Sequence, residues 1–402
     1  PGGAPPAPPL GAVLAALIVG QLGMHAAMAG RRMAGPLGAL AEGASPLRVG
    51  VLMALFAAAP VLLALHAGRM ADRHGYHRPL RLAVMISVAG VALAGLSVFA
   101  AGILKFALLC AGALAVGAGT NLGLIAMQRT ASLAARGSVE RMRVFSWLGV
   151  APSLSNVIGP VAAGLLIDAS GFGAAYALLL VLPFVGLWAA RRVPPVPVRP
   201  PAGVARPASD LLREPGMVRL LLVNWLLSTC WDVHTFAVPI LGHERGFSAT
   251  AIGLVLGAFT LSVTLVRLVI PLVAEHLDER TTLGAAMLGT GAIYAVYPLA
   301  DTPAAMLGCA LLLGVSLGIV QPVIMAMLHR VTPEDRHGEA LALRSMAINA
   351  SSTAMPLGFG AAGALIGAAS MFWLSGAAVA LGAWAVRRLP GDGVPPPGGP
   401  GR

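Results

Sequence analysis

The sequence predicts an all-α polytopic membrane protein that crosses the bilayer twelve times. Of its 402 residues, 57% are hydrophobic and only 11% are charged, whereas soluble domains average about 25% charged residues. The mean hydropathy is +0.82. So few charges cannot cover a globule with polar surface, and these values therefore exclude an ordinary soluble protein.

Twelve apolar runs are long enough for membrane-spanning helices, which need about 20 apolar residues each. The predicted spans lie near 11–30, 49–67, 82–102, 106–127, 144–166, 173–190, 218–241, 250–272, 283–299, 304–327, 342–366 and 369–386. A proline- and arginine-rich stretch between the sixth and seventh spans indicates a semi-rigid linker. The expected organisation is a flexible tail at 1–10, a six-helix bundle at 11–190, a cytoplasmic linker at 191–217, a second bundle at 218–387 and a flexible tail at 388–402.

The charge distribution indicates the orientation in the membrane. The net charge of +11 is dispersed between apolar runs rather than gathered on one polar domain, which argues against a nucleic-acid partner. If both termini lie in the cytoplasm, 22 of the 27 Lys and Arg residues are on the cytoplasmic side, as the positive-inside rule requires. Arg31 and Arg32 fall outside and are unexplained by the sequence. We therefore expect a multi-pass protein of the cell membrane, which in a bacterium is the inner membrane.

The most distinctive motif is the polar segment GRMADRHGYHR at 68–78, which is expected to form a loop between the second and third spans. A weaker copy lies at 271–283, where Glu275 aligns with Asp72 at an offset of 203 residues. Three further pairs have offsets of 203, 203 and 200 residues: Gln21 with Asn224, His25 with Ser228, and Asn121 with Gln321. The near-constant offset predicts two pseudo-symmetric six-helix bundles, as in transporters built from parallel repeats.

These features resemble the major facilitator superfamily (MFS) over essentially the whole chain. Its signature between the second and third helices is roughly G-x-L-A-D-R-x-G-R-K-x-x-L. Met70 replaces the leucine of this pattern, and Tyr76 with His77 replaces the Arg-Lys pair. The matching residues are Gly68, Ala71, Asp72, Arg73, Gly75 and Leu80. The resemblance implies the MFS fold, twelve transmembrane helices as two pseudo-symmetric six-helix bundles, and a transport function.

A second motif is similar to the glycine-proline motif of drug–proton antiporters in this family. Gly159, Pro160 and Gly164 match it in the fifth span. The same residues also fit a plain packing face with a kink, because small residues let helices approach closely. Those antiporters carry an arginine in the fourth span, where this chain has Ala113. The resemblance therefore favours export, but the proton role linked to that arginine does not carry over.

The resemblance also implies a conformational latch in the segment around Asp72, which helps lock the inner ends of the two halves in the outward-open state. The expected partners are Arg129 and the helix end near Arg344. The predicted latch residues are Gly68, Asp72, Arg73, Gly75, Arg78, Arg129, Glu275 and Arg344. The copy at 271–283 has lost the basic half of the pattern, so we expect the latch to be asymmetric between the halves.

Asp232 is the acidic residue predicted to lie well inside a span. An ionised side chain at the bilayer centre costs roughly 3 kcal/mol on insertion scales, so such an acid is a functional candidate. Asn224, Ser228 and Asp232 recur every four residues and share one helix face. With the family's cavity-lining first, fourth, seventh and tenth helices, the candidate substrate and proton cavity comprises Gln21, His25, Asn121, Asn224, Ser228, Trp231, Asp232, His234 and Gln321. The alternatives for Asp232 are a hydrogen-bonded structural acid and a position nearer the outer mouth. The alternative for the aromatic residues is that they only pack.

The sequence lacks the motifs of other function classes. It has no GxxxxGK[ST] nucleotide loop. Its G-x-S-x-G match at 314–318 lies inside the tenth apolar run and not at the strand-to-helix turn of a nucleophile elbow, and its three cysteines lie in apolar runs without metal-ligand spacing. We therefore expect no enzyme activity, no cofactor and no metal. One hypothesis is a monomeric secondary transporter that moves a small organic molecule by alternating access, with efflux as the direction and the proton as a candidate coupling ion. The other is a non-transporting membrane receptor or scaffold on the same fold, which the short linker and tails disfavour.

Overall fold

Twelve α-helices make up nearly all of the part of the chain that the structure describes, and that part contains no β-strand. The structure is a computed structural model, and it describes residues 10–134, 144, 147–194, 208–214, 216–273, 277–332 and 337–386. A helix satisfies its backbone N–H and C=O groups internally, which a segment within the bilayer must do because lipid offers no hydrogen-bond partners.

The first six helices that the structure describes are α1 Leu10–Leu40, α2 Pro46–His74, α3 His77–Leu96, α4 Gly102–Ala134, α5 Val150–Val181 and α6 Phe184–Ala190. The second six are α7 Met217–Glu244, α8 Ala249–Val273, α9 Glu279–Val296, α10 Pro303–Arg330, α11 His337–Ile366 and α12 Ala368–Val386. Within the described ranges, three short 3-10 helices occupy Ser97–Phe99, Ala208–Arg213 and Tyr297–Leu299. The predicted all-α fold with twelve spans is therefore confirmed.

Helix α5 contains parts of both the fifth and the sixth predicted spans, and Gly171 is the break between them. This glycine has φ 82° and ψ 176°, a conformation open to glycine and strongly disfavoured for other residues. Residues 150–170 form the fifth span, and residues 172–190, which include α6, form the sixth.

Nine stretches of the described residues are long and apolar enough to cross a membrane. One of them, Val150–Ala190, contains both the fifth and the sixth span. Helices α7 and α11 are not among the nine. Both carry polar side chains that contribute to the candidate site below.

The described residues divide into two compact units. Unit 1 contains the chain up to Ala44, Leu55–Ala202 and Ser248–Gly257. Unit 2 contains Ser45–Ala54, Gly203–Phe247 and the chain from Ala258 onward. The beginning of α2 thus belongs to unit 2, and the beginning of α8 belongs to unit 1.

Close helix contacts in unit 1 depend on glycine. A Cβ atom added to Gly159 in α5 would lie 2.7 Å from the backbone nitrogen of Gly30 in α1. In the same way, a Cβ on Gly90 in α3 would lie 2.8 Å from the carbonyl oxygen of Gly112 in α4. These contacts leave no room for a side chain, which explains why small residues occupy the crossings.

The start of α8 packs on α5 within unit 1. The Asp168 carboxylate accepts hydrogen bonds from the backbone N–H of Ala249 at 3.0 Å and of Thr250 at 2.7 Å. Helix N-termini leave such N–H groups without partners inside the helix, so Asp168 caps α8 from another helix. Two more residues of α5 lie in the same contact. Gly164 packs against Ala249, and Pro160 packs against Gly253.

The predicted loop at 68–78 is mostly helix, and this prediction was wrong. Helix α2 continues through Gly68 and Arg73 to His74. Gly75, with φ 68°, makes the turn before α3 begins at His77. Arginine, methionine and alanine are good helix formers, so the polar segment marks the end of the apolar run but not the end of the helix.

The sequence also placed the end of the first span too early. The apolar run was expected to end at residue 30, but α1 continues to Leu40. Arg31 therefore lies within a helix and not in an outer loop. Of the other expected segments, the tail at 1–9, most of the linker (195–207 and 215), Glu275 and residues 387–402 lie outside the described residues.

In unit 2, α2 crosses α11 at a pair of glycines. A Cβ on Gly360 would lie 3.1 Å from the Cα atom of Gly50. The neighbouring Gly358 has open space at the corresponding position. Gly358 and Gly360 of α11 are therefore only two residues apart but differ in the space around them.

We expect Gly360→Leu to lower the stability of the protein, since overpacking a tight contact costs typically about 1 to 3 kcal/mol. Gly358→Leu is the matched control and is expected to have a much smaller effect. Thermal unfolding of the purified protein in detergent measures both. Equal melting temperatures for the two variants contradict this packing.

Candidate functional site

One face of α7 carries three of the polar residues of unit 2 that the sequence singled out. Asn224 and Asp232 are buried, with 2% and 8% of their surface exposed, and Ser228 between them is half-buried. Their spacing of four residues stacks them along the helix, as predicted. The other polar partners at this face come from α11.

Two hydrogen bonds join α7 to α11 like the rungs of a ladder. The Nε of Arg344 donates to Oδ1 of Asn224 at 3.1 Å. The Oγ of Ser352 donates to Oδ2 of Asp232 at 3.3 Å. Each pair is separated by 120 residues, so the two helices run parallel in a single register. We call these residues the α7–α11 ladder; its rungs are eight residues apart, about 12 Å along the axis.

Sequence reasoning missed half of this ladder. Ser352 received no role, and Arg344 was predicted as a latch residue rather than as a partner of Asn224. A constant offset of 120 residues between polar groups on the seventh and eleventh spans is visible in the sequence. Nothing in the sequence alone, however, indicates that these two helices are neighbours.

His234 lies apart from the ladder in an aromatic cluster. It is completely buried, and its Nε2 is 3.0 Å from the hydroxyl oxygen of Tyr297. Its ring centroid is 4.3 Å from that of Phe259, which also contacts Trp231 at 4.6 Å. Tyr297 in turn stacks on Phe372 at 4.6 Å. The described contacts of His234 and Trp231 are thus with this cluster rather than with Asp232.

The remaining predicted cavity residues lie on three other helices. In unit 1, Gln21 of α1 is buried, while His25 of α1 and Asn121 of α4 are half-buried. Oε1 of Gln21 and Nδ1 of His25 have no hydrogen-bond partner among the described residues. In unit 2, Gln321 of α10 is exposed. Unit 1 therefore presents unsatisfied polar atoms at Gln21 and His25, which align with Asn224 and Ser228 of α7.

Arg31 is a buried cation in unit 1 that sequence reasoning left unexplained. It has no exposed surface, and its Nη2 donates to the carbonyl oxygen of Leu109 at 3.3 Å. Its guanidinium carbon lies 5.8 Å from the ring centroid of Phe56 and 5.4 Å from that of Tyr176. Aromatic faces attract a cation most strongly when water is excluded. Gly112 provides the space, because a Cβ there would lie 2.9 Å from Nη2.

The predicted latch residues of unit 1 lie around the turn after α2. Gly68 is half-buried with open space around it, Arg73 and Arg78 are exposed, and Gly75 makes the turn. Arg129 is half-buried in α4. The side chain of Asp72 and residue Glu275 lie outside what the structure describes.

The two residues that depart from the signature help to anchor this turn. Tyr76 is 1% exposed and packs in a core cluster that includes Leu17 and Leu80. The Nε2 of His77 lies 3.2 Å from the carbonyl oxygen of Ala190 at the end of α6. An aromatic core residue thus stands where the pattern has a surface cation.

The chemistry open to the ladder is proton exchange and hydrogen bonding. Asp232 can carry a proton, and Asn224, Ser352 and Arg344 can donate hydrogen bonds. No group of three or more His, Cys, Asp and Glu side chains converges as a metal site within the part of the chain that was described.

Comparison with known proteins places this arrangement in a family. The family model described as the Major Facilitator Superfamily matches residues 17–231 and 220–401. The tetracycline resistance protein, class G, of Vibrio anguillarum is 28% identical over 324 residues, which cover 77% of this chain and 79% of that protein.

Solved structures share the fold at low sequence identity. A POT family transporter in complex with 5-aminolevulinic acid superposes with a TM-score of 0.76 at 11% identity, covering 93% of this chain and 95% of that one. A bacterial homologue of the iron transporter ferroportin, in an inward-facing state, gives 0.71 at 18% identity, covering 94% and 98%.

We expect the hydrogen bond between His234 and Tyr297 to stabilise unit 2 by about 1 kcal/mol. A double-mutant cycle with His234→Phe and Tyr297→Phe, followed by unfolding in mixed detergent micelles, measures this coupling. Trp373 donates to the carbonyl oxygen of Ala295 and supplies the control: His234→Phe and Trp373→Phe are expected to be additive. Additivity of the His234 and Tyr297 variants contradicts the contact.

Proposed function

Because the chain belongs to the Major Facilitator Superfamily, a family of membrane transporters, we propose that it is a secondary transporter that exports a small organic molecule by alternating access. The observation that carries this proposal is the buried Asp232, which accepts a hydrogen bond from Ser352 inside an apolar bundle. An ionisable group at such a position is costly to keep, and intramembrane acids commonly mark transport pathways.

Asp232 is proposed to carry the coupling proton. A carboxyl group is cheaper to bury in its protonated form, because an ionised group loses far more hydration. Exposure of Asp232 to one side and then to the other would let it take up and release a proton in turn. Ser352 has both a donor and acceptor sites on its hydroxyl, so it can bond to either form of the carboxyl group.

The direction and the first substrate to test come from the tetracycline resistance protein. That relative is 28% identical over most of both chains, which supports export and makes tetracycline the first compound for an assay. The positive-inside count supports the proposed orientation, with both termini and the linker at 191–217 in the cytoplasm. The family model covers both halves, which disfavours a non-transporting receptor or scaffold.

The segment around Asp72 is proposed to control the conformational equilibrium. Asp72 lies in the last turns of α2, next to the turn that Gly75 makes and that Tyr76 and His77 anchor. A charge on a well-anchored segment can bias one conformation, because the segment cannot relax away from its partner.

We expect Asp232→Asn to remove the dependence of tetracycline transport on a proton gradient, because the amide cannot release a proton. Uptake into inverted membrane vesicles with an imposed pH gradient measures this dependence. Asp301→Asn is the control, since that acid belongs to the same unit but its side chain is 85% exposed. An unchanged rate and pH dependence in Asp232→Asn removes Asp232 from the mechanism.

We expect Asp72→Asn to shift the balance between the inward- and outward-open states while leaving the fold intact. Distances between spin labels at the ends of the helices report this balance, and vesicle transport reports its consequence. Asp210→Asn, an exposed acid in the short helix Ala208–Arg213, is the control. If both readouts stay at the wild-type values, the latch proposal is wrong.

A further inference from the structure

A second charged feature of unit 2 lies beside the Asn224–Arg344 hydrogen bond of the ladder. Arg267 of α8 lies close enough to Arg344 of α11 for the positive charge of Arg344 to act on it. Both side chains are partly buried. Among the described residues no carboxylate forms a salt bridge with either arginine; the ion pairs seen in this unit join Arg245 to Asp301 and Arg330 to Glu279.

The unsatisfied groups at this pair of arginines are hydrogen-bond donors. Arginine side chains have no hydrogen-bond acceptor. The only acceptor of the Asn224 side chain, its Oδ1, is already engaged by Arg344. The Nδ2 of Asn224 and the Nε of Arg267 are both buried and have no partner in the described part of the chain. We call Asn224, Arg267 and Arg344 the donor cluster.

A cluster whose one side-chain acceptor is already engaged is incomplete without a further acceptor. Buried N–H groups cost about 1 to 3 kcal/mol each when they lack a hydrogen bond, and two neighbouring cations add repulsion. A carboxylate relieves both costs, since it offers two oxygens and a negative charge, and arginine binds it in a two-pronged geometry.

The position of the cluster suits a ligand of the transporter. Asn224 is the eighth residue of α7, Arg344 is the eighth of α11 and Arg267 lies six residues before the end of α8. At 1.5 Å per residue these positions are about 10 Å from the helix ends. They thus lie nearly two turns inside their helices and not in a terminal turn.

We propose that the donor cluster binds a carboxylate or similar anionic group of the transported molecule. The proposal rests on the transport function proposed above and specifies the substrate class: a small organic anion, or an amphoteric molecule with an anionic group. Arg267 and Arg344 supply the positive charge, and Asn224 holds Arg344 in place while offering one further donor.

The test uses 1-naphthoate and its uncharged amide, 1-naphthamide, as matched probes. Calorimetric titration of the purified protein in a non-ionic, lipid-free detergent measures binding, and flux into phosphatidylcholine proteoliposomes measures transport. We expect naphthoate to bind and to be transported, and the amide to bind at least about tenfold more weakly, which is about 1.4 kcal/mol.

Substitutions locate the effect at the cluster. Arg344→Gln and Arg267→Gln are each expected to weaken naphthoate binding by about tenfold or more, and Arg267→Lys to weaken it less because the charge remains. Arg48→Gln removes an exposed arginine of the same unit and is expected to leave binding unchanged. Melting temperatures close to wild type show that the variants are folded. Equal binding of naphthoate and the amide, or wild-type naphthoate binding in both glutamine variants, overturns the proposal.

Two further comparisons complete the test. The first distinguishes a substrate anion from a lipid headgroup or free phosphate, and the second distinguishes failure of the anion site from failure of the transport function. If phosphatidylglycerol or inorganic phosphate occupies the cluster and naphthoate does not, the site is for a lipid headgroup or free phosphate, and the substrate assignment is wrong. Tetracycline flux that continues with neither binding nor flux of naphthoate refutes this inference and leaves the transport function standing. Naphthoate that binds through the arginines without flux of any compound supports the anion site and refutes transport.

Discussion

Polar side chains inside an apolar helix bundle must find partners on other helices, and unit 2 is organised by this requirement. Lipid and apolar packing offer no substitute for a lost hydrogen bond, so a polar side chain on α7 is stabilised by a partner on a helix that lies beside it. The α7–α11 ladder meets this need twice, at Asn224 with Arg344 and at Asp232 with Ser352. Because both rungs have the same offset, one register of the two helices satisfies both bonds, and a slip by one residue would break both.

Unit 1 solves the same problem with glycine and aromatic rings. Among the described residues Arg31 has no carboxylate partner; it uses one carbonyl oxygen and the faces of Phe56 and Tyr176. This arrangement is possible because Gly112 leaves room for the guanidinium group. The two units thus differ in how they treat an inward-pointing cation. In unit 1 the cation, Arg31, is enclosed by aromatic packing. In unit 2 the two cations Arg267 and Arg344 lie with hydrogen-bond donors that have no partner among the described residues.

The sequence predicted the fold class, the twelve spans and the polar face of α7, because each of these follows from local patterns. Hydropathy counts the spans, and a spacing of four residues defines a helix face. It did not predict where helices end: α2 runs on to His74 and α1 to Leu40, since polarity does not terminate a helix. It also missed Ser352 and the pairing of Arg344 with Asn224, because neighbour relations between distant helices are not encoded in the periodicity of either one.

The length of the ladder decides how substrate and proton would influence each other. A carboxylate at Asp232 lies about 12 Å along the axis from the rung of Arg344, and opposite charges at that distance attract by about 1 kcal/mol in an environment of moderate polarity. An anion that binds only at Arg344 cancels this attraction and favours the protonated acid, so the short anion and the proton bind together. A molecule long enough to reach Asp232 as well, and to hydrogen-bond or ion-pair with its ionised form, competes with the proton instead. Export in exchange for protons requires such competition, so this geometry favours substrates that span both rungs.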